Sequence, residues 1–206
     1  LDDSTRIKYM VEWVTKAHAL LLRSGLTEAT LKKAVKHAID VGGMVPRAGL
    51  SRFFSVTGEQ GVPVLVFSAG IANVLEEVLR QAVGGIPSHV GIASNRILFD
   101  AKGCITGFDQ PLFHVFNKRA SALKQGSAHI LDKVSSRHNV VLIGDSLGDL
   151  NMSVGLEDTA NILRIGFLND RQERLPEYLE KFDVVLLGDG SLDQVIALLA
   201  EITGSK

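Results

Sequence analysis

One cysteine, one tryptophan and two tyrosines occur in 206 residues, and the formal net charge is only −1. A lone Cys104 leaves no internal disulfide to form and fits a reducing compartment. With 22 Lys and Arg against 23 Asp and Glu there is no field of one sign. That balance argues against a nucleic-acid polymer as partner and leaves room only for a local basic pocket. No apolar run approaches the ~20 residues that cross a bilayer. The opening Leu1-Asp2-Asp3-Ser4-Thr5 lacks the apolar core of a signal peptide, so the chain reads as cytoplasmic and without a membrane partner. What is present, 46% hydrophobic and 22% charged residues, is the composition of an ordinary globular protein large enough for a core domain with a small accessory one.

Residues 1–60 carry only helical periodicity. Ile7, Met10, Val11, Val14, Ala17, His18, Leu21 and Leu22 recur at three and four, which predicts a long amphipathic helix ending near Gly25. Thr27 is placed to cap a second helix with Leu31, Ala34, Val35, Ala38 and Ile39 inward, stopped by Gly42-Gly43. Pro46 opens a third, carrying Leu50, Phe53 and Phe54 and closing at Gly58 to Gly61.

From residue 61 the pattern alternates. Strands are expected at Val62 to Phe67, Val90 to Ala93, Val140 to Ile143, Ile162 to Phe167 and Val184 to Leu187. Helices are expected at Ile71 to Ala82, Ser127 to Arg137, Gln172 to Phe182 and Leu192 to Ile202, with a hairpin turning at Asp100 to Gly103. Strands separated by single helices predict a doubly wound parallel α/β core over 61–206 behind an all-helical module over 1–60.

Three stretches could carry chemistry. Val140 to Ile143 reads as a buried strand, and Gly144-Asp145-Ser146-Leu147-Gly148-Asp149 then sets two carboxylates on a tight turn at its carboxyl end, where open α/β sheets bind ligands. Such a turn suits a hard cation, Mg²⁺, or else an Asp that caps the next helix. Val64 to Phe67 ends in Ser68-Ala69-Gly70 at the start of a helix. There the Ser68 hydroxyl and the Ala69 and Gly70 amides would seat a phosphate, or Ser68 would serve as an N-cap. Lys118, in His114-Val115-Phe116-Asn117-Lys118, is a solvated lysine in isolation and a counter-charge for phosphate beside the other two stretches.

In this order, the three stretches resemble motifs two, three and four of the haloacid-dehalogenase-like phosphatases. With Met10-Val11-Glu12-Trp13, Thr15-Lys16, His18 and Gly166-Phe167-Leu168-Asn169-Asp170 added, nearly the whole chain resembles the cytosolic pyrimidine 5′-nucleotidases of type III. The resemblance implies a Mg²⁺-dependent hydrolase that takes phosphate from a pyrimidine or methylated purine nucleoside monophosphate through an aspartyl-phosphate. It makes Asp145 the metal ligand, and gives Asp149 the task of supporting the metal shell or orienting Lys118. Ser68, Ala69, Gly70 and Lys118 would hold the phosphate, with Lys118 and Asp149 the catalytic side chains. Trp13 and Ala17 fall where the family reads the base. Trp13 is expected mainly to pack at the interface of the helical module, and His18 to be a packing residue on the apolar helix face. Nothing in the exposed charge pattern points to a protein partner.

The family's first motif, Asp-x-Asp-x-Thr behind a hydrophobic strand, supplies the nucleophile and has no counterpart here. Asp2-Asp3 lacks the spacing, and Asp100 reads as a turn residue. The expectation is therefore that Leu1 begins a processed, truncated or incompletely recorded chain. The missing strand would lie between those ending at Ser68 and Asp145, leaving two strand edges unpaired. The other readings are a phosphatase for another small phosphomonoester and a non-catalytic nucleotide-binding protein.

Overall fold

The computed structural model describes residues 2–118, 134, 137–154 and 161–204. The helix expected from Ser127 to Arg137 lies outside them, apart from 134 and 137. Helix α1 (Asp3–Arg23) starts where the Asp2 carboxylate accepts the Thr5 N–H at 2.7 Å. Helix α2 (Glu28–Asp40) starts on Thr27, whose hydroxyl accepts the Thr30 N–H at 3.1 Å, and buries Leu31 and Val35. Both caps satisfy amides that a helix leaves without an internal partner. The inner face expected for α1 is only partly covered. Val14 is buried, whereas Ile7, Val11 and Leu22 are exposed, because the helix rests mainly on one narrow hairpin strand.

Helix α3 (Leu50–Glu59) begins four residues later than Pro46 suggested. Gly49 has φ +86°, which no helix accommodates, and the segment before it is drawn into tertiary bonds. Ala48 C=O accepts the Leu192 N–H, and the Arg47 guanidinium lies 3.9 Å above the Phe167 ring while donating to Gly190 C=O and Asn169 Oδ1. Residues that could have formed the first turn of α3 instead tie it to the sheet.

Strand β1 (Val64–Ile71) pairs in parallel with β2 (Val90–Asn95), and α4 (Ala72–Val83) connects them. The hairpin of β3 (Ile97–Phe99) and β4 (Ile105–Phe108) is antiparallel, as expected. Asp100 is a turn residue, accepting the Lys102 and Cys104 amides on one carboxylate oxygen. Strands β5 (Asn139–Gly144), β6 (Asn161–Leu168) and β7 (Val184–Leu187) form a second parallel sheet in the order β5-β6-β7. The run expected as one helix from Gln172 to Phe182 is a 3₁₀ turn, Gln172–Arg174, followed by α5 (Leu175–Lys181), with Arg171 at φ +56° and Pro176 early in the helix. Helix α6 (Asp193–Thr203) ends the described chain.

The parallel strands thus form two sheets, and among the described residues β1 and β5 each have one neighbour. One core nevertheless spans both. Val64 and Val66 of β1, Val141 and Ile143 of β5 and Ile165 of β6 pack with Phe53 and Phe54 of α3, Leu79 of α4 and Val195, Ile196 and Leu199 of α6. Side chains alternate across a strand. Leu142 of β5 accordingly faces the opposite side, where Leu168, Tyr178 and Phe182 form a second cluster with α5. Helices cover both faces, as the alternating sequence predicted.

At Gly166, an added Cβ would stand 2.7 Å from the buried Phe182 ring. Gly166→Ala is expected to cost about 1–3 kcal/mol by overpacking, read as a lower urea midpoint at unchanged slope.

Candidate active site

Asp149 sits on the 3₁₀ stretch Leu147–Ser153 that follows β5 and is 3% exposed. Its Oδ2 accepts the amides of Asp145 at 3.2 Å and Ser146 at 3.1 Å, and its Oδ1 accepts Lys118 Nζ at 2.8 Å. Gly144 is dictated by this packing, since a Cβ there would lie 2.6 Å from that of Asp149. Asp149 thereby holds the Lys118 ammonium in place, the contact that one of its two expected roles requires.

Asp145 is pinned through its backbone, not its carboxylate. Its N–H goes to Asp149, and its carbonyl accepts the Tyr178 hydroxyl at 2.6 Å. Burial pushes the Tyr178 phenol upward, keeping it protonated as a donor. The Asp145 side chain is exposed and accepts no hydrogen bond from a described residue. Among the described residues no group of three His, Cys, Asp or Glu side chains could hold a metal. The site therefore offers one open carboxylate. That fits a cation taking most of its oxygens from water and phosphate.

Ser68, Ala69 and Gly70 lie on β1, whose last residue, Ile71, is the N-cap of α4. The pairing passes from Phe67–Ala93 to Ile71–Asn95, so three residues of β1 stand against the single Ser94 of β2. This is a bulge of the kind that re-aims backbone at a strand end. Ser68 does not cap α4; its Oγ accepts the Gly70 N–H at 3.0 Å.

The Lys118 loop is braced from within. Asn117 accepts the His114 amide on Oδ1 and donates to Leu112 C=O, and the Phe116 N–H donates to His114 Nδ1. Gly148 lies against it, with Val115 C=O 3.3 Å from where a Cβ would stand. The loop also meets α1, whose Arg6 lies 5.7 Å from the centroid of the Phe116 ring. Trp13 and Ala17 follow Arg6 by seven and eleven residues, on the same stripe of that helix. Trp13 is 67% exposed, so its expected packing role is corrected: the helix turns it away from the core that Val14 enters. His18 does pack, stacked 3.6 Å from Phe108.

The structure joins Asp145, Asp149 and Lys118 directly, and joins Ser68 to Gly70 with the Lys118 loop through Asn95, a residue the sequence reading passed over. Asn95 donates to the carbonyls of Ala69 and Phe113 and accepts the Phe113 N–H. Its signal was an Asn ending a Val-Gly-Ile-Ala strand, where asparagine is depleted. Among the described contacts, none brings Trp13 or Ala17 onto Ser68, Lys118 or Asp149.

Removing Asp149 by D149A leaves a largely buried ammonium and two amides without their acceptor. A loss of about 3 kcal/mol or more is expected, measured by urea unfolding. A pH dependence follows from the histidines. Burial holds both His114 and His18 below the ordinary 6.5, so the unfolded chain takes up these protons first. Stability present above pH 6.5 is expected to decline as pH falls below it, and the slope to flatten in a doubly substituted H18N/H114N protein.

Residues 2–203 match the family model for pyrimidine 5′-nucleotidase (UMPH-1). The 7-methylguanosine phosphate-specific 5′-nucleotidase A of Xenopus laevis is 40% identical over 198 residues, covering 96% of this chain and 66% of that protein. The corresponding human enzyme is 37% identical over 198 residues, covering 96% and 64%. This chain therefore spans a little under two thirds of these relatives' length. The crystal structure of cytosolic 5′-nucleotidase IIIB bound to cytidine superposes with a TM-score of 0.84 at 32% identity, over 99% of this chain and 67% of that one. That match bears out the α/β fold of the haloacid-dehalogenase-like kind. On this similarity along almost its whole length, the chain belongs to the pyrimidine 5′-nucleotidase (UMPH-1) family.

Proposed function

We propose that the protein is a Mg²⁺-dependent 5′-nucleotidase acting on pyrimidine or 7-methylguanosine 5′-monophosphates. The observation that carries this reading is the Lys118 ammonium held at 2.8 Å by a carboxylate whose other oxygen takes two backbone amides, beside the open Asp145 carboxylate. A lysine so fixed supplies positive charge at a set position without reorganising, which is what transfer of a phosphoryl dianion needs. Names of the relatives and the cytidine in the structural neighbour support the nucleotide class.

In this reading Ser68 Oγ and the Ala69 amide hold the phosphate oxygens, and Lys118 neutralises charge from the other side; the Gly70 amide expected beside them instead donates to Ser68 Oγ. Asp145 would hold Mg²⁺, which when bound offsets the repulsion between a carboxylate nucleophile and the phosphate. The nucleophile would be an aspartate on a strand between β1 and β5. Its oxygen–phosphorus bond would form as the P–O5′ bond breaks, the nucleoside leaving as its 5′-alcohol with a proton from water. Water would then split the acyl phosphate into free phosphate and the carboxylate. Trp13, exposed on the stripe of α1 that reaches the Lys118 loop, and Ala17 beside it would face the base. A cytoplasmic location belongs to the same proposal; no described helix is long and apolar enough to cross a membrane.

Phosphate release by the full-length protein from cytidine, uridine and 7-methylguanosine monophosphates, with ribose 5-phosphate alongside, tests it. Turnover of nucleotides is expected, lost with EDTA and reduced about 100-fold or more in kcat/KM by K118A. Equal turnover of ribose 5-phosphate would overturn base recognition. Nucleotide binding without turnover would make this a binding protein.

A further inference from the structure

Asn95 is 2% exposed at the end of β2, and both its amide nitrogen and its amide oxygen are hydrogen-bonded. The two Nδ2 hydrogens are shared among Ala69 C=O at 2.9 Å, Gly70 C=O at 3.2 Å and Phe113 C=O at 2.9 Å, while Oδ1 accepts the Phe113 N–H at 2.8 Å. On one side it therefore fixes the bulge of β1. In a trans peptide the N–H points opposite to the C=O, so drawing the Ala69 carbonyl toward Asn95 turns the Gly70 N–H away from it, onto Ser68 Oγ. Ser94 adds a second hold by donating its hydroxyl to Gly70 C=O at 2.9 Å.

On its other side Asn95 takes both backbone groups of Phe113, and the Phe113 ring packs edge-on against Phe67, with centroids 5.3 Å apart. From Phe113 to Lys118 the loop is stiffened by the His114 and Asn117 bonds described above. A single side chain thus sets the Ser68 hydroxyl and the origin of the Lys118 loop relative to each other, although 50 positions separate Ser68 from Lys118 in the chain.

We propose that Asn95 is the positioning residue of the phosphate seat, holding the bulge and the lysine loop at the separation that one phosphate group bridges. This rests on the nucleotidase reading for its ligand, a phosphomonoester or free phosphate. A buried amide bonded at both its nitrogen and its oxygen suits the task, because such a network admits one geometry and penalises others. Asn95→Asp keeps size and acceptor but sets a carboxylate against three carbonyls. Asn95→Ala removes the bridge altogether.

The test measures binding of inorganic phosphate and of cytidine to the full-length protein by calorimetry, together with kcat and KM. In Asn95→Asp and Asn95→Ala, phosphate affinity is expected to fall at least tenfold and kcat at least 30-fold, while cytidine affinity stays within twofold of wild type. A purely structural role would weaken both ligands together, and that result, or phosphate affinity within twofold of wild type, overturns the proposal. Should neither variant fold, Ser94→Ala decides, with about threefold weaker phosphate binding expected and unchanged binding overturning it. A wild type that binds no phosphate overturns the nucleotidase reading, and this inference with it. A wild type that binds phosphate, with variants that bind equally well, overturns only the inference.

Discussion

Burying the carboxylate of Asp149 is the constraint around which the rest of the site is arranged. A charge removed from water must be paired and hydrogen-bonded or it becomes very costly, and here each oxygen has a defined obligation. Oδ2 holds the two amides that open the turn after β5, and Oδ1 holds Lys118. The turn can close this tightly only because Gly144 has no side chain, and its backbone is pinned from the far side by the Tyr178 hydroxyl. One buried carboxylate thereby shapes the strand end, aims the lysine and leaves the neighbouring Asp145 carboxylate open.

The same logic recurs at β1 with a neutral group. Asn95 is buried and bonded at both its nitrogen and its oxygen, and it holds the backbone of Ser68 to Gly70 out of the regular ladder. Charged and neutral polar anchors thus stand at the ends of two different sheets. Between them runs the braced loop from Phe113 to Lys118, anchored by Asn95 at its start and by Asp149 at its end. The apolar core spanning both sheets supplies the rigid base on which these anchors can act.

The outer helices contribute differently. Arg47 stacks on Phe167 and bonds to Asn169 and Gly190, so the link between α2 and α3 is fastened to the carboxyl end of β6, next to the strand that carries Asp145. Helix α1 is less firmly held, burying Val14 and stacking His18 on Phe108 while Trp13 and Tyr9 remain exposed. An amphipathic period states which residues could share a face, and not how wide a surface will be there to receive it.

What the sequence determined by itself was everything governed by local chemistry. Thr27 as a cap, the Asp100 turn, the parallel strands read from aliphatic runs and the carboxylate turn after Ile143 depend on neighbours within a few residues. The resemblance in motif order, and not any local rule, grouped Ser68, Lys118, Asp145 and Asp149 as one expected site. Tertiary structure decided the rest. It gave Asp149 to Lys118 and the backbone amides, because those partners converge only once the loop crosses the end of β5. It extended β1 through Ser68 to Gly70, where Asn95 and Ser94 hold the carbonyls of Ala69 and Gly70. It also delayed α3 to Leu50, because Arg47 and Ala48 bond across the sheet, and no periodicity records a partner more than 100 residues away.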